Sequence, residues 1–113
     1  MSEWSREETI IMLYFTSRGL QPKPVRSLLQ RRGYDRSTRA IEHKISAITR
    51  DNPHLRPTRG QWDLNAVDRW IDDYLQDHQL VNKLIHFSSQ DAEDVALVSI
   101  ALGEGVPFDW IRN

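Results

Sequence analysis

The chain has 113 residues, 39% hydrophobic and 27% charged, with a formal net charge of −1. That length and mix suffice for one domain with its own core and exclude a wholly disordered chain. The absence of cysteine excludes disulfides, thiol nucleophiles and thiolate metal sites.

Charge is unevenly placed along the chain. Residues 1–61 carry 12 Lys and Arg against 6 Asp and Glu, whereas residues 62–113 carry 3 against 10. Such asymmetry points to a polyanionic or acidic partner for the first half, or to two halves that neutralise each other. The opening MSEWSREE lacks the positive-then-apolar pattern of a signal peptide, and no apolar run approaches the ~18 residues of a membrane span. Neither is expected.

A first helix is expected from Ser5, where SREE places Glu8 three residues after a serine cap in the pattern of a capping box. Ile10, Leu13 and Tyr14 follow on one face, widened by Ile11 and Phe15, and Gly19 is the natural stop. A second helix is expected to begin near Pro22–Pro24, to face inward through Val25, Leu28 and Leu29, and to end at Gly33. Its Arg26, Arg31 and Arg32 point elsewhere. After the turn GYDR, Ser37 or Thr38 caps a third helix that closes before Pro53. Ile41, Ile45 and Ile48 form its buried stripe; Arg39, His43, Ser46 and Arg50 form a second stripe roughly opposite.

NPHLRPTRGQ reads as a loop. From Asp63 or Asn65 one long helix is expected, with Leu64, Val67, Ile71, Tyr74, Val81 and Ile85 in a continuous apolar stripe and His78 inside it, partly buried. Its outer face carries Asp68, Asp72, Asp73 and Asp77. SSQDAEDVALVSIALGEG reads as a fifth helix capped by Ser88, with Asp91 three residues on, and VPFDWIRN as a last turn. A shift of 86 residues also lays Glu93, Gly105 and Arg112 over Glu7, Gly19 and Arg26, an echo expected if a second copy of the first module began there. No strand pattern competes, so the fold is expected to be all-α.

Three short helices with a tight turn before a basic third one are the layout of helix-turn-helix binders. One side of the third helix anchors it, and the other is free to enter a major groove wide enough for a helix. WSREE at the head of an apolar helix, and RSTRAIEHKISAI as a third helix, resemble the Myb/SANT family over residues 4 to about 50. The YFTSRG of the first helix and the W-D-x-x-x-V-D-x-W pattern from Trp62 to Trp70 are also similar to uncharacterised fungal proteins. Where Myb repeats place three core tryptophans, this chain has Trp4, then Leu28 and Leu29, then Ile45.

The resemblance implies a three-helix module over residues 1–61, extended by an acidic helical part over 62–113 packed with it as one domain. It implies a nuclear, chromatin-associated protein that binds double-stranded DNA. The DNA-reading residues would be Arg39, His43, Ser46 and Arg50, with Arg36 and Lys44 at the edges and Arg56 and Arg59 on backbone phosphate. SANT-like members also bind proteins. A protein-docking or self-associating module is therefore the alternative, with Trp70, Ile71, Tyr74 and Trp110 as interface candidates.

No enzyme is expected. Asp72, Asp73 and Asp77 lie on an outer helical face instead of in a cleft, and no glycine-rich phosphate loop or G-x-S-x-G is present. His43, His54, His78 and His86 show no metal-ligand spacing, so neither metal nor cofactor is expected. The acidic face of the fourth helix argues against a membrane surface as partner.

Overall fold

The computed structural model describes residues 3–58 and 60–101. Arg59, Trp110, the VPFDWIRN turn and the glycine end of the 86-residue echo lie outside them. The described residues form six α-helices and no strand: α1 (Arg6–Ser17), α2 (Pro22–Arg31), α3 (Thr38–Asp51), α4 (Leu64–Tyr74), α5 (His78–Ile85) and α6 (Ser89–Ala101), with a 3₁₀ turn at Pro53–Leu55. Among them no helix is long and apolar enough to cross a membrane.

Local chemistry sets most of the helix ends. Ser5 Oγ accepts from the Glu8 N–H at 3.2 Å and the Ser5 N–H donates to Glu8 Oε1 at 3.2 Å, closing the capping box of α1. Gly19 takes φ +102°, and its N–H donates to Thr16 O at 3.0 Å while the Leu20 N–H donates to Phe15 O at 3.2 Å. This is a Schellman ending, in which glycine accepts the left-handed conformation without steric penalty. Gly33 repeats it after α2, at φ +89°, with Tyr34 N–H on Leu29 O at 2.9 Å. Ser37 caps α3 by accepting from the Ala40 N–H at 3.1 Å.

The packing around α1 differs from the one-faced helix read in the sequence. Glu8, Thr9, Ile10, Ile11, Met12, Leu13, Tyr14, Phe15 and Ser17 are all buried. A helix apolar all round needs neighbours all round, and α2, α4 and α5 supply them. The main neighbours of α3 are α2 and the Pro53–Leu55 turn, and α6 lies against α2. One core runs through both halves of the chain, from Ile10–Phe15 and Leu28–Leu29 to Val67, Ile71, Val81 and Val95.

The expected long fourth helix is two helices. Leu75 turns extended at φ −132°, ψ 98°, and Asp77 opens α5 by accepting the Leu80 N–H at 3.1 Å. Asp77, expected on an outer face, is a cap instead. The break lets both pieces wrap α1, and it turns His78 out of the apolar stripe. The His78 side chain is 81% exposed, with Nδ1 3.6 Å from Asp72 Oδ1.

A second capping box opens α6, where Ser88 Oγ accepts from the Asp91 N–H and Asp91 Oδ2 from the Ser88 N–H. Asp91 is 3% exposed and receives Arg31 Nε at 3.1 Å and Arg32 Nη2 at 2.9 Å. Arg32 also donates to the carbonyls of Leu84 at 2.9 Å and His86 at 2.8 Å. One guanidinium thereby joins the end of α2 to the end of α5 and the start of α6. Burial works to raise the Asp91 pKa, but the Arg32 hydrogen bonds, the Ser88 N–H and hydroxyl, and the Arg32 charge together hold it below the usual carboxylate range.

A depressed folded-state pKa stabilises the fold fully above the unfolded-state value of about 3.9, and that contribution is lost as pH falls below it. Denaturant unfolding across pH 7 to 2 is expected to show this loss in the parent and a shallower decline in Asp91→Asn. At neutral pH that variant is expected to be less stable by about 3 kcal/mol, since it leaves two arginines without their buried partner.

Candidate nucleic-acid interface

The third helix is held on one side by Ile41, fully buried, and Ile48, 7% exposed. Ile45 is partly buried against the same core. Side chains a half-turn away face solvent, and Arg39, His43, Ser46 and Arg50 are all exposed. Their spacing of four, three and four residues makes a stripe roughly 16 Å long at 1.5 Å per residue. Arg39 makes no ion pair or hydrogen bond among the described residues. Arg50 Nε meets Asp51 Oδ1 at 3.3 Å, but both side chains are well exposed, 75% and 67%, so the pair holds Arg50 only weakly. Glu42 is also exposed on this helix, an acidic neighbour of the stripe.

The edge residues divide. Arg36 does not face solvent with the stripe. Its guanidinium pairs with Glu8, with Nη2 2.9 Å from Oε1, and it donates to Glu3 O at 2.7 Å. It lies 4.8 Å from the Trp4 ring centroid. The pair is buried, at 11% and 8% side-chain exposure. The Arg36 hydrogen bond above all holds the Glu8 pKa below its usual range, against burial and with help from Ser5. The cause is geometric: Glu8 Oε1 serves both the cap of α1 and Arg36 Nη2, and Oε2 takes Arg36 Nε at the start of α3. No sequence signal near Arg36 announces a partner 28 residues upstream.

Lys44 is half-buried and lines a shallow groove of about 750 Å³ with Trp4, Ala40, His43 and Ala47. Arg56 is exposed, its guanidinium 5.1 Å from the Trp62 ring centroid. Arg59 lies outside the described residues.

Other basic side chains are consumed inside the fold. Arg18, its side chain 4% exposed, donates from Nη2 to both carboxylate oxygens of Asp68, at 2.8 and 3.0 Å, and lies 3.8 Å from the Tyr14 ring centroid. With Arg31 and Arg32 on Asp91, these contacts join the basic half of the chain to the acidic half.

The interface candidates on α4 also divide. Ile71 is 2% exposed; it is a core residue packed toward α1, with no surface to offer a partner. Trp70 and Tyr74 are half-buried and stacked on each other, ring centroids 4.6 Å apart. Trp110 lies outside the described residues. Among the described residues, no three His, Asp or Glu side chains gather to hold a metal ion.

Comparison with protein-family models, curated proteins and solved structures returned no match. The likeness to Myb/SANT domains therefore rests on the residues quoted above.

Arg36→Ala is expected to destabilise the fold by roughly 3 kcal/mol in urea melts, because it strands Glu8. Arg39→Ala is expected to stay within about 0.5 kcal/mol of the parent, as an exposed unpaired side chain should.

Proposed function

We propose that this chain is a small helical DNA-binding domain of Myb/SANT-like type, in which α2, the turn to Ser37 and α3 act as the helix-turn-helix unit. In this reading α3 lies in the major groove of a duplex. Arg39 and Arg50 donate to guanine edges or phosphate, and His43 and Ser46 reach bases or backbone between them. Lys44 adds charge at the edge. A nuclear, chromatin-associated role belongs to the same reading.

The observation that carries it is the solvent-facing stripe of α3, led by Arg39 with no carboxylate partner, on a helix whose opposite side is locked into the core. Shape and rigidity favour a groove. The internal use of Arg18, Arg31, Arg32 and Arg36 reduces the cationic surface, so binding should be modest and strongly salt-dependent.

The alternative is a protein-docking module. It draws on the half-exposed Trp70–Tyr74 pair, over which Arg6 also lies, 5.5 Å from the Tyr74 centroid.

Duplex binding at two or more salt concentrations separates them. With about three phosphates neutralised, log affinity is expected to fall against log salt with a slope of about −3. The Arg39→Ala/Arg50→Ala chain, folded as the parent, should bind weaker and with a shallower slope. A chain that gives no duplex shift at low salt, or a double variant that binds like the parent, leaves the docking module as the better reading.

A further inference from the structure

Where the α1–α2 turn meets the loop after α3, a cleft of about 450 Å³ opens between Leu20, Ile45, Arg56 and Trp62. That volume falls in the ~300–1,000 Å³ span of small-ligand sites. Its only contribution from α3 is Ile45, on the side away from the solvent-facing stripe, so it is separate from the surface proposed for DNA.

Three features mark it as more than a crease. Among the described residues no carboxylate lines it, and the charged residues that do are Arg18 and Arg56. Arg18 is already neutralised by Asp68, whereas Arg56 meets only the Trp62 ring among the described residues. Beside the polar Thr16, Ser17 and Gln21, the cleft has an apolar side made by Leu20, Ile45, Trp62 and Leu64, and Leu64 is 40% exposed, one of two large aliphatic side chains so exposed among the described residues. Thr16 also lines the cleft, and its Oγ1 is buried with no hydrogen-bond partner among the described residues. An unpaired buried hydroxyl is unfavourable and uncommon in native folds. A helical threonine has two accessible χ1 wells, so a rotation can turn this hydroxyl toward a ligand acceptor.

The geometry points to a binding site for a small carboxylate with an apolar body, aryl or branched aliphatic. The apolar body lies among Leu20, Ile45, Leu64 and the Trp62 ring. The carboxylate meets the Arg56 guanidinium, whose planar fork suits two parallel hydrogen bonds, and Thr16 supplies a hydroxyl. One arginine with no carboxylate partner among the described residues matches a monoanion better than phosphate. A free organic acid and the C-terminal residue of a peptide present the same chemistry.

The test is an NMR titration of the full ¹⁵N-labelled chain with four probes: indole-3-acetate, its carboxamide, a short peptide ending in a tryptophan carboxylate, and inorganic phosphate. Saturable shifts at the Trp62 indole N–H and at the Thr16, Gly19 and Gly60 amides are expected with the free acid, the peptide or both; which of the two binds tells the source. The carboxamide should bind about tenfold weaker than the acid, and phosphate alone should not bind. Arg56→Gln, at an exposed position, should bring the acid down to the level of the carboxamide. Thr16→Val should weaken the acid and raise the Tm of the free chain by removing the unpaired hydroxyl. The proposal is overturned if neither acid nor peptide saturates by about 10 mM, if acid and carboxamide bind alike, if phosphate alone occupies the cleft, or if Arg56→Gln changes nothing.

Discussion

From Glu8 to Phe15 every side chain of α1 lies below the surface, and packing against one or two helices cannot achieve that. The sequence IIMLYF leaves no polar residue on any side of this stretch, so the chain must bring apolar surface to it from several directions. Helices α2, α4 and α5 do so. The break at Leu75–Asp77 follows from this demand, because a straight helix of that length would meet α1 along one line, whereas two shorter ones pack against separate parts of it. The extended backbone at Leu75 is the local form of the requirement, and the Asp77 cap compensates for the amides it exposes.

Electrostatics then fasten what the apolar surfaces bring together. Three buried or half-buried carboxylates, Glu8, Asp68 and Asp91, each receive an arginine from a distant part of the chain. A buried pair contributes little net stability but penalises any arrangement that separates it, so these contacts select one packing among the several open to six helical segments. They also account for much of the charge asymmetry between the halves. The basic first half and the acidic second half are partners of each other at α2–α6 and at α1–α4, and what remains for an external anion is spread over exposed residues of α3, Arg56, and Lys23 and Arg26 on α2.

Features written within a few residues were legible in the sequence. The capping boxes at Ser5 and Ser88, the glycine stops at Gly19 and Gly33, the Ser37 cap and the two stripes of α3 depend on neighbours three or four positions away, and their physics is complete in a short window. The partition of α3 into an isoleucine side and an arginine side was readable for that reason. The full burial of α1 depends on other helices of the chain, and the second role of Glu8 and the withdrawal of Arg36 from the basic face depend on residues 28 positions apart; local pattern carries no such information. His78 was misplaced: a continuous stripe sets it on one face with Ile71, and the interruption at Leu75 turns it into solvent while Ile71 keeps its place in the core.

The enclosure of α1 also bears on how this protein fluctuates. Helix ends and loops at the surface open locally while the rest persists, and their backbone amides exchange with deuterium through those partial openings. The amides of Ile11 to Phe15 have no such route, because releasing them requires several neighbouring helices to part at once. Their exchange clock therefore runs on the complete disassembly of the fold, and it would register any ligand or duplex that steadies the native state even when that ligand sits far from the centre.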